Sequence, residues 1–478
     1  MIWCFIVLTV AGCAAVGQDY ARPDIPLGES WNTNLTDGLT GKEADPQELA
    51  GWWMSLKDTE LTGLIERACN NNLDLKAAKA RLREARASRI AVRSGLFPAL
   101  DLSGSATRSR SSGETGSGSA RTMYSTGLDA GWELDFFGGV RRSVEAAEAD
   151  IEAAQEELND VLVSLSAEVA VNYIELRTYQ ARLDVAQENL KAQQETYELT
   201  RSRFVSGLDD ELAVAQAQAN LESTRAQIPA LNTSIEEAKN RIAVLLGESS
   251  GSLHEELEDH RPIPVSSPEV AIGVPADVLR RRPDVRQAER ELAAQSARVG
   301  VAQSELYPKL TLNGSIGYDA LSAGDLITAG SRAWSYGPRI TLPIFNADSI
   351  RANIEVASAR QEQALINYES SVLSALEEVE NALVSYVQEQ SRQQSLDQAA
   401  RSAQLSVDLA ENKYQAGLVD FGTVLDAQRS LLSYQDQLAV SEGTVTTNLV
   451  RLYKALGGGW TPLTPDSQTQ AQTQGETR

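Results

Sequence analysis

The hydrophobic pattern changes period along the chain, and each change predicts an element. Over residues 72–97 Leu73, Ala77, Ala80 and Ala87 recur at helical spacing, and Pro98 ends the run. The period then becomes two. Leu100, Leu102 and Gly104 alternate with Asp101, Ser103 and Ser105. After a Ser/Gly-rich loop over residues 109–119, Leu128, Ala130, Trp132, Leu134 and Phe136 alternate with Asp129, Glu133 and Asp135. Further on, Leu310, Leu312, Ile316 and Tyr318 share a face, as do Trp334, Tyr336, Ile340, Leu342 and Ile344, opposite Ser335, Arg339 and Thr341. Two β-hairpins follow, at about 99–137 and 309–345, each with one apolar, aromatic face and one polar face. A soluble half-buried sheet carries the same pattern. Strands of about ten residues, with Trp132, Tyr318, Trp334 and Tyr336 on the apolar face, fit membrane-crossing strands with an interfacial aromatic belt better.

Four strands cannot close a barrel, since known barrels start at about eight. Crossing strands must then be pooled, and three chains supply twelve. Residues 139–206 hold no Pro and one Gly, at their start, so a single helix of roughly 100 Å is expected at ~1.5 Å per residue. Gly207 and Gly417 each follow an aromatic residue by a few positions. Each reads as the turn between antiparallel helices, supplying positive φ.

The chain also repeats itself. An offset of 210 pairs Phe204 with Tyr414, Gly207-Leu208 with Gly417-Leu418, Asp210 with Asp420, Ala217-Gln218 with Ala427-Gln428 and Leu246-Gly247 with Leu456-Gly457. Upstream it pairs Asp74 with Asp284, Pro98 with Pro308, and Leu100, Leu102 and Gly104 with Leu310, Leu312 and Gly314. A register held this long marks a tandem duplication. The copies are placed at 58–250 and 276–457, each read as helix, hairpin, long helix, helix. Residues 13–57 precede them as an equatorial or anchor segment, 251–275 link them, and 458–478 form a disordered tail.

Composition narrows the function. The 478 residues carry 43 Lys+Arg against 66 Asp+Glu, a net charge of −23, which disfavours nucleic acid as a partner. Two His and three Cys exclude a dense metal site or a disulfide scaffold. No nucleophile–base set or phosphate loop is present, so neither an enzyme nor a cofactor is expected. His254 and His260 read as loop histidines rather than ligands. No apolar run reaches the ~18 residues of a spanning helix. Residues 1–12 form a short uncharged apolar stretch before Cys13. Val10-Ala11-Gly12-Cys13 resembles a bacterial lipobox, though without a basic leader, so Cys13 is the candidate lipidation site. The alternatives are a plain secretory signal or a buried strand.

Several runs resemble the outer-membrane efflux protein family (TolC-like), most of all its lipoprotein branch (NodT-like). They are Asp19-Tyr20-Ala21-Arg22-Pro23, Ala50-Gly51-Trp52-Trp53, Trp132-Glu133-Leu134-Asp135-Phe136-Phe137-Gly138, Val278-Leu279-Arg280-Arg281-Arg282-Pro283-Asp284-Val285, Thr341-Leu342-Pro343-Ile344-Phe345-Asn346 and Leu425-Asp426-Ala427-Gln428-Arg429. The resemblance implies an α+β membrane protein: a homotrimer with a twelve-stranded outer-membrane barrel, a long periplasmic helical barrel and a mixed equatorial belt. It also implies a passive exit duct for small molecules such as drugs, working with a periplasmic adaptor and an inner-membrane transporter of the RND type. The rival readings are a type I protein-secretion channel and a periplasmic coiled-coil lipoprotein without a pore.

In the family, rings of inward acidic and apolar residues close the periplasmic end. Asp426 stands at the acidic ring's place, and Arg429 lies one helical turn on, where an i,i+3 pair can form. Tyr414 matches a tyrosine that links neighbouring helices in some relatives. Thr423 stands where one branch has a second aspartate, and Ala213 offers Tyr414 no polar partner, so any lock uses other contacts. The arginines at 280–282 read as an ion-pair hub in preference to a peptidoglycan or adaptor contact.

Overall fold

The computed structural model describes residues 15–460 apart from 27, 29, 34, 37, 43, 44, 116, 117, 266–269 and 346. The expected leader, Cys13 and residues 461–478 of the tail lie outside these. The described residues form two compact units. One comprises the described part of Met1–Ile25 with Ala80–Glu156 and Arg286–Ser371; the other comprises Pro26–Lys79, Glu157–Val285 and the described part of Val372–Arg478. Several helices contribute residues to both.

In chain order the helices are α1 (Pro46–Ala50), α2 (Thr59–Asn71), α3 (Leu73–Ser94), α4 (Gly139–Val205), α5 (Glu211–Leu245), α6 (Pro275–Arg281), α7 (Pro283–Ser304), α8 (Ala347–Gln415) and α9 (Phe421–Ala455). The strands are β1 (Leu39–Thr40), β2 (Ala99–Arg110), β3 (Ala120–Leu134), β4 (Val270–Ala271), β5 (Lys309–Ala320) and β6 (Arg332–Thr341). The order 22-residue helix, hairpin, very long helix and 35-residue helix occurs twice, with long helices of 67 and 69 residues. No helix among the described residues is long and apolar enough to cross a membrane.

The first unit holds an antiparallel sheet in the order β2-β3-β5-β6. Its register decides which side chains share a face, because directly paired residues point the same way. Leu102 pairs with Leu128, Leu128 with Ile316, and Ile316 with Trp334. One row down, Leu100, Ala130, Gly314 and Tyr336 align; one row up, Gly104, Thr126, Tyr318 and Arg332 align. Trp132 pairs with Leu312 on the same face. Leu100, Leu102, Ile316, Trp334, Tyr336 and Ile340 are all exposed. The opposite face carries Asp101, Asp129, Glu133, Thr311, Ser315 and Arg339. A sheet with its greasy face outward is at odds with water and suited to lipid.

Also in this unit, the stretch after residue 14 is strapped down. The Arg142 guanidinium, with a nearly buried side chain, donates to the carbonyls of Val16 (3.1 Å) and Gly17 (3.1 Å) and to Asp19 (2.9 Å). Gly17 sits at φ +98°, and a Cβ there would fall 2.9 Å from the Gly300 Cα, so the strap lies directly on α7. Tyr20 lies under the Arg290 guanidinium at 5.6 Å, and burial beside Glu289 pushes its phenol up to about 12.

The second unit contains the large core. Trp52, Leu61, Leu64, Ile65, Tyr173 and Leu246 are almost fully buried there. Trp52 stacks on Tyr453 at 5.4 Å. Strands β1 and β4 pair in parallel and tie residues 39–40 to 270–271. Asp58 caps α2 by accepting from the amides of Glu60 and Leu61, and also accepts the Tyr173 hydroxyl at 2.8 Å. Fully buried Arg177 pairs with Glu60 and donates to the Asp259 carbonyl at 2.7 Å. At Gly443 a Cβ would lie 1.9 Å from Thr178 Oγ1, so only glycine lets α9 approach α4 this closely.

Candidate functional site

The two interhelical turns are built alike. The Gly207 amide donates to the Phe204 carbonyl (2.9 Å) and the Leu208 amide to Arg203 (2.9 Å). The Gly417 amide donates to Tyr414 (2.9 Å) and the Leu418 amide to Lys413 (2.9 Å). This double closure is a Schellman motif, and the glycines hold φ of +73° and +71°. Asp210 and Asp420 then cap α5 and α9, accepting from the amides of Ala213 and Thr423.

Beneath the turns lies a small separate core of Ala213, Ala217, Ala410, Tyr414, Phe421, Val424 and Leu425. Tyr414 is its centre, 2% exposed, with its ring edge-on to Phe421 at 5.7 Å. The sequence supplied no partner for it at Ala213. The structure supplies Asp209: the Tyr414 hydroxyl makes a short hydrogen bond to Asp209 Oδ2 and lies 3.3 Å from Thr200 Oγ1. Arg203 donates to the same Asp209 oxygen at 3.0 Å and stacks its guanidinium 4.6 Å from the Tyr414 ring centre. Burial, then the bond to Asp209, raises the Tyr414 phenol above its ordinary value, so it stays a neutral donor.

Asp209, Arg203 and Thr200 are functional candidates that reading the sequence missed. The signal was present in the repeat. At an offset of 210 their counterparts are Val419, Lys413 and Ala410, while Tyr414 stands opposite Phe204. The two halves differ where they meet, the first supplying the acceptor and the second the donor.

Asp426 and Arg429 do not pair. Arg429 Nε donates to Asn220 Oδ1 on α5 at 3.2 Å. Asp426 is exposed, and its side chain has no hydrogen bond or ion pair to another described residue. Two residues after Asp426, Gln428 is buried, donating to Thr196 (2.8 Å) and Glu411 (3.0 Å), which ties α9 to α4 and α8. The i,i+3 spacing brings the two charged side chains onto neighbouring positions, but Asn220 captures the guanidinium.

The arginine run is an ion-pair hub at Arg282. Its nearly buried guanidinium binds Asp284 (2.6 Å), Glu378 (2.7 Å) and the Ala455 carbonyl (3.1 Å), and these partners hold its charge. His254 Nδ1 lies 3.0 Å from Glu236 and His260 Nδ1 2.7 Å from Asp184, so the histidines face different carboxylates. No group of His, Cys, Asp and Glu among the described residues is arranged to hold a metal. Trp132, Tyr318, Trp334 and Tyr336 share the apolar face of the sheet; Trp334 stacks on Tyr336 at 5.8 Å, and Trp132 donates to the Leu96 carbonyl at 3.1 Å.

A mainly helical chain with a lipid-suited hairpin sheet and a polar clasp at paired helix turns defines an outer-membrane channel. The model of the family described as outer membrane efflux protein matches residues 64–248 and 274–458. Nodulation protein T of Rhizobium leguminosarum bv. trifolii is 34% identical over 460 residues, 96% of this chain and 97% of that protein. Cation efflux system protein CusC of Escherichia coli O6:H1 is 32% identical over 456 residues, 95% and 97% of the two. The solved structure of the outer-membrane channel OprN matches with a TM-score of 0.88 at 37% identity, covering 94% of this chain and 100% of that one. The chain belongs to the outer membrane efflux protein family. It is an efflux channel of the outer membrane, and channels, not enzymes, make up its family.

Proposed function

We propose that three copies of this chain form a lipid-anchored exit duct for small toxic molecules, serving a periplasmic adaptor and an inner-membrane transporter of the RND type. The carrying observation is the open sheet. Its edge strands β2 and β6 run 12 and 10 residues with no partner strand on their outer sides among the described residues. Long unpaired edges beside lipid are untenable, because nothing there satisfies their N–H and C=O groups. Three sheets joined edge to edge make twelve strands and remove every edge. The twofold order of elements supports a tandem duplication, in which each repeat donates one hairpin to the barrel and one helix pair to a periplasmic tube. Cys13, lipidated, anchors each chain in the outer-membrane lipid. The sequence feature favouring this anchor is its small-residue lipobox.

The periplasmic end closes through two features. Tyr414, Asp209, Arg203 and Thr200 clasp the second helix pair to the first. Asp426, exposed and unpaired among the described residues, contributes one carboxylate per copy to a ring that attracts cations and resists anions. Planar bilayer recording tests this. Tyr414→Phe and Asp426→Ala are each expected to raise resting conductance severalfold or weaken cation selectivity. Unchanged conductance and selectivity in both would remove the gate from this end.

A further inference from the structure

The register places the charged residues of the sheet with unusual order. On the apolar face, from Leu100 to Arg110 and across to Arg332–Ile340, not one acid occurs among the paired positions. The only charges there are Arg108, Arg110 and Arg332. Arg108 pairs with Thr122, Arg110 with Ala120 and Arg332 with Tyr318, so all three sit toward the loop ends of the hairpins, away from Ser94 and Gly139 where the helices join. The acids Asp101, Asp129, Glu133 and Asp319 all lie on the other face. This segregation stands out in a chain of net charge −23.

The spacing suits a membrane. Leu134 to Tyr124 runs about ten residues, roughly 34 Å along the strand and about 26 Å along the membrane normal at a ~40° tilt. That matches the apolar band of a membrane barrel. Tyr124 marks its upper margin; Tyr318 and Arg332 share the next row inside, Trp334 the row after that, and Arg108 stands one row beyond Tyr124. All three arginines are exposed. Arg110 donates to the Gly118 carbonyl at 2.7 Å; Arg108 and Arg332 make no hydrogen bond or ion pair to another described residue. One acid stands among the described residues of each loop, Glu114 and Asp325.

We propose that Arg108, Arg110 and Arg332 form a binding surface for the phosphate groups of glycolipids in the outer leaflet. The inference rests on the reading that the apolar face meets lipid. A guanidinium matches phosphate with two parallel N–H donors, and at the headgroup level it gains a charge partner without entering the hydrocarbon. The surface selects phosphorylated headgroups over neutral ones and fixes how deep the hairpins sit.

The test is native mass spectrometry of the detergent-purified protein titrated with bis-phosphorylated lipid A and, separately, with dephosphorylated lipid A. Wild type is expected to prefer the phosphorylated form by at least about tenfold. The combined Arg108→Ala, Arg110→Ala and Arg332→Ala variant is expected to lose that preference, while Arg121→Ala, on the other face, keeps it. Equal binding of both lipids by wild type, an unchanged preference in the triple variant, or full displacement by millimolar inorganic phosphate each overturns the proposal. Channel conductance of the same preparations separates the two readings. Conducting protein without lipid preference refutes this surface alone, and absence of conductance in wild type refutes the barrel beneath it.

Discussion

Tyr414 concentrates the chemistry of the helix turns in one side chain. It is buried, so its hydroxyl must be satisfied, and among the described residues it bonds to Asp209 and Thr200. Tyr414→Phe keeps the ring against Phe421 and strands Asp209 with Arg203 alone. A local loss of about 1–2 kcal/mol is expected, read as faster protease cleavage at residues 205–211 and 415–420. The phenol also sets a pH limit. Its folded value is raised, so the stability it contributes is complete below about 10, the ordinary tyrosine value, and is lost as pH rises through the higher folded value. The cleavage difference between wild type and Tyr414→Phe should therefore persist at pH 8 and shrink above about pH 10. Arg282 is the comparable residue elsewhere. Arg282→Ala leaves Asp284, Glu378 and the Ala455 carbonyl without their cation. The expected cost is about 2–4 kcal/mol, below that of a fully buried pair because Glu378 remains half exposed. Denaturant unfolding followed by Trp52 fluorescence measures it.

Elements were legible to different depths. The hairpins and long helices follow from period and from the placing of Pro and Gly, which are local signals. Gly207 and Gly417 mark the turns through the positive φ they adopt, which is costly for any residue with a Cβ. Replacing either by Ala should destabilise its turn by about 1 kcal/mol or more. Gly63 is the control: it lies inside α2 with open space around its Cβ position, and Gly63→Ala should stabilise by about 0.5–1 kcal/mol. Thermal unfolding of the three variants checks the opposite signs. What stayed hidden was side-chain pairing between elements. Arg429 has an acid one turn away in sequence and takes Asn220 from another helix instead. Asp209 carried no motif, and its role emerges only when α4 brings Thr200 and Arg203 beside α8. The arginines of the outward face were likewise invisible until the register joined Arg332 to the row of Gly104, Thr126 and Tyr318.

At the scale of the whole molecule, physics and kinship meet at the open edges of the sheet. One chain's described residues supply four long strands, and lipid tolerates no edge, so in the proposed duct the assembly rather than the chain is the functional object. Native mass spectrometry of protein extracted from membranes with detergent is the most direct test. The prediction is a trimer whose chains begin at Cys13, each carrying the mass of a diacylglycerol and an acyl chain. An unlipidated monomer recovered from the soluble periplasmic fraction would contradict both the pooled barrel and the anchor.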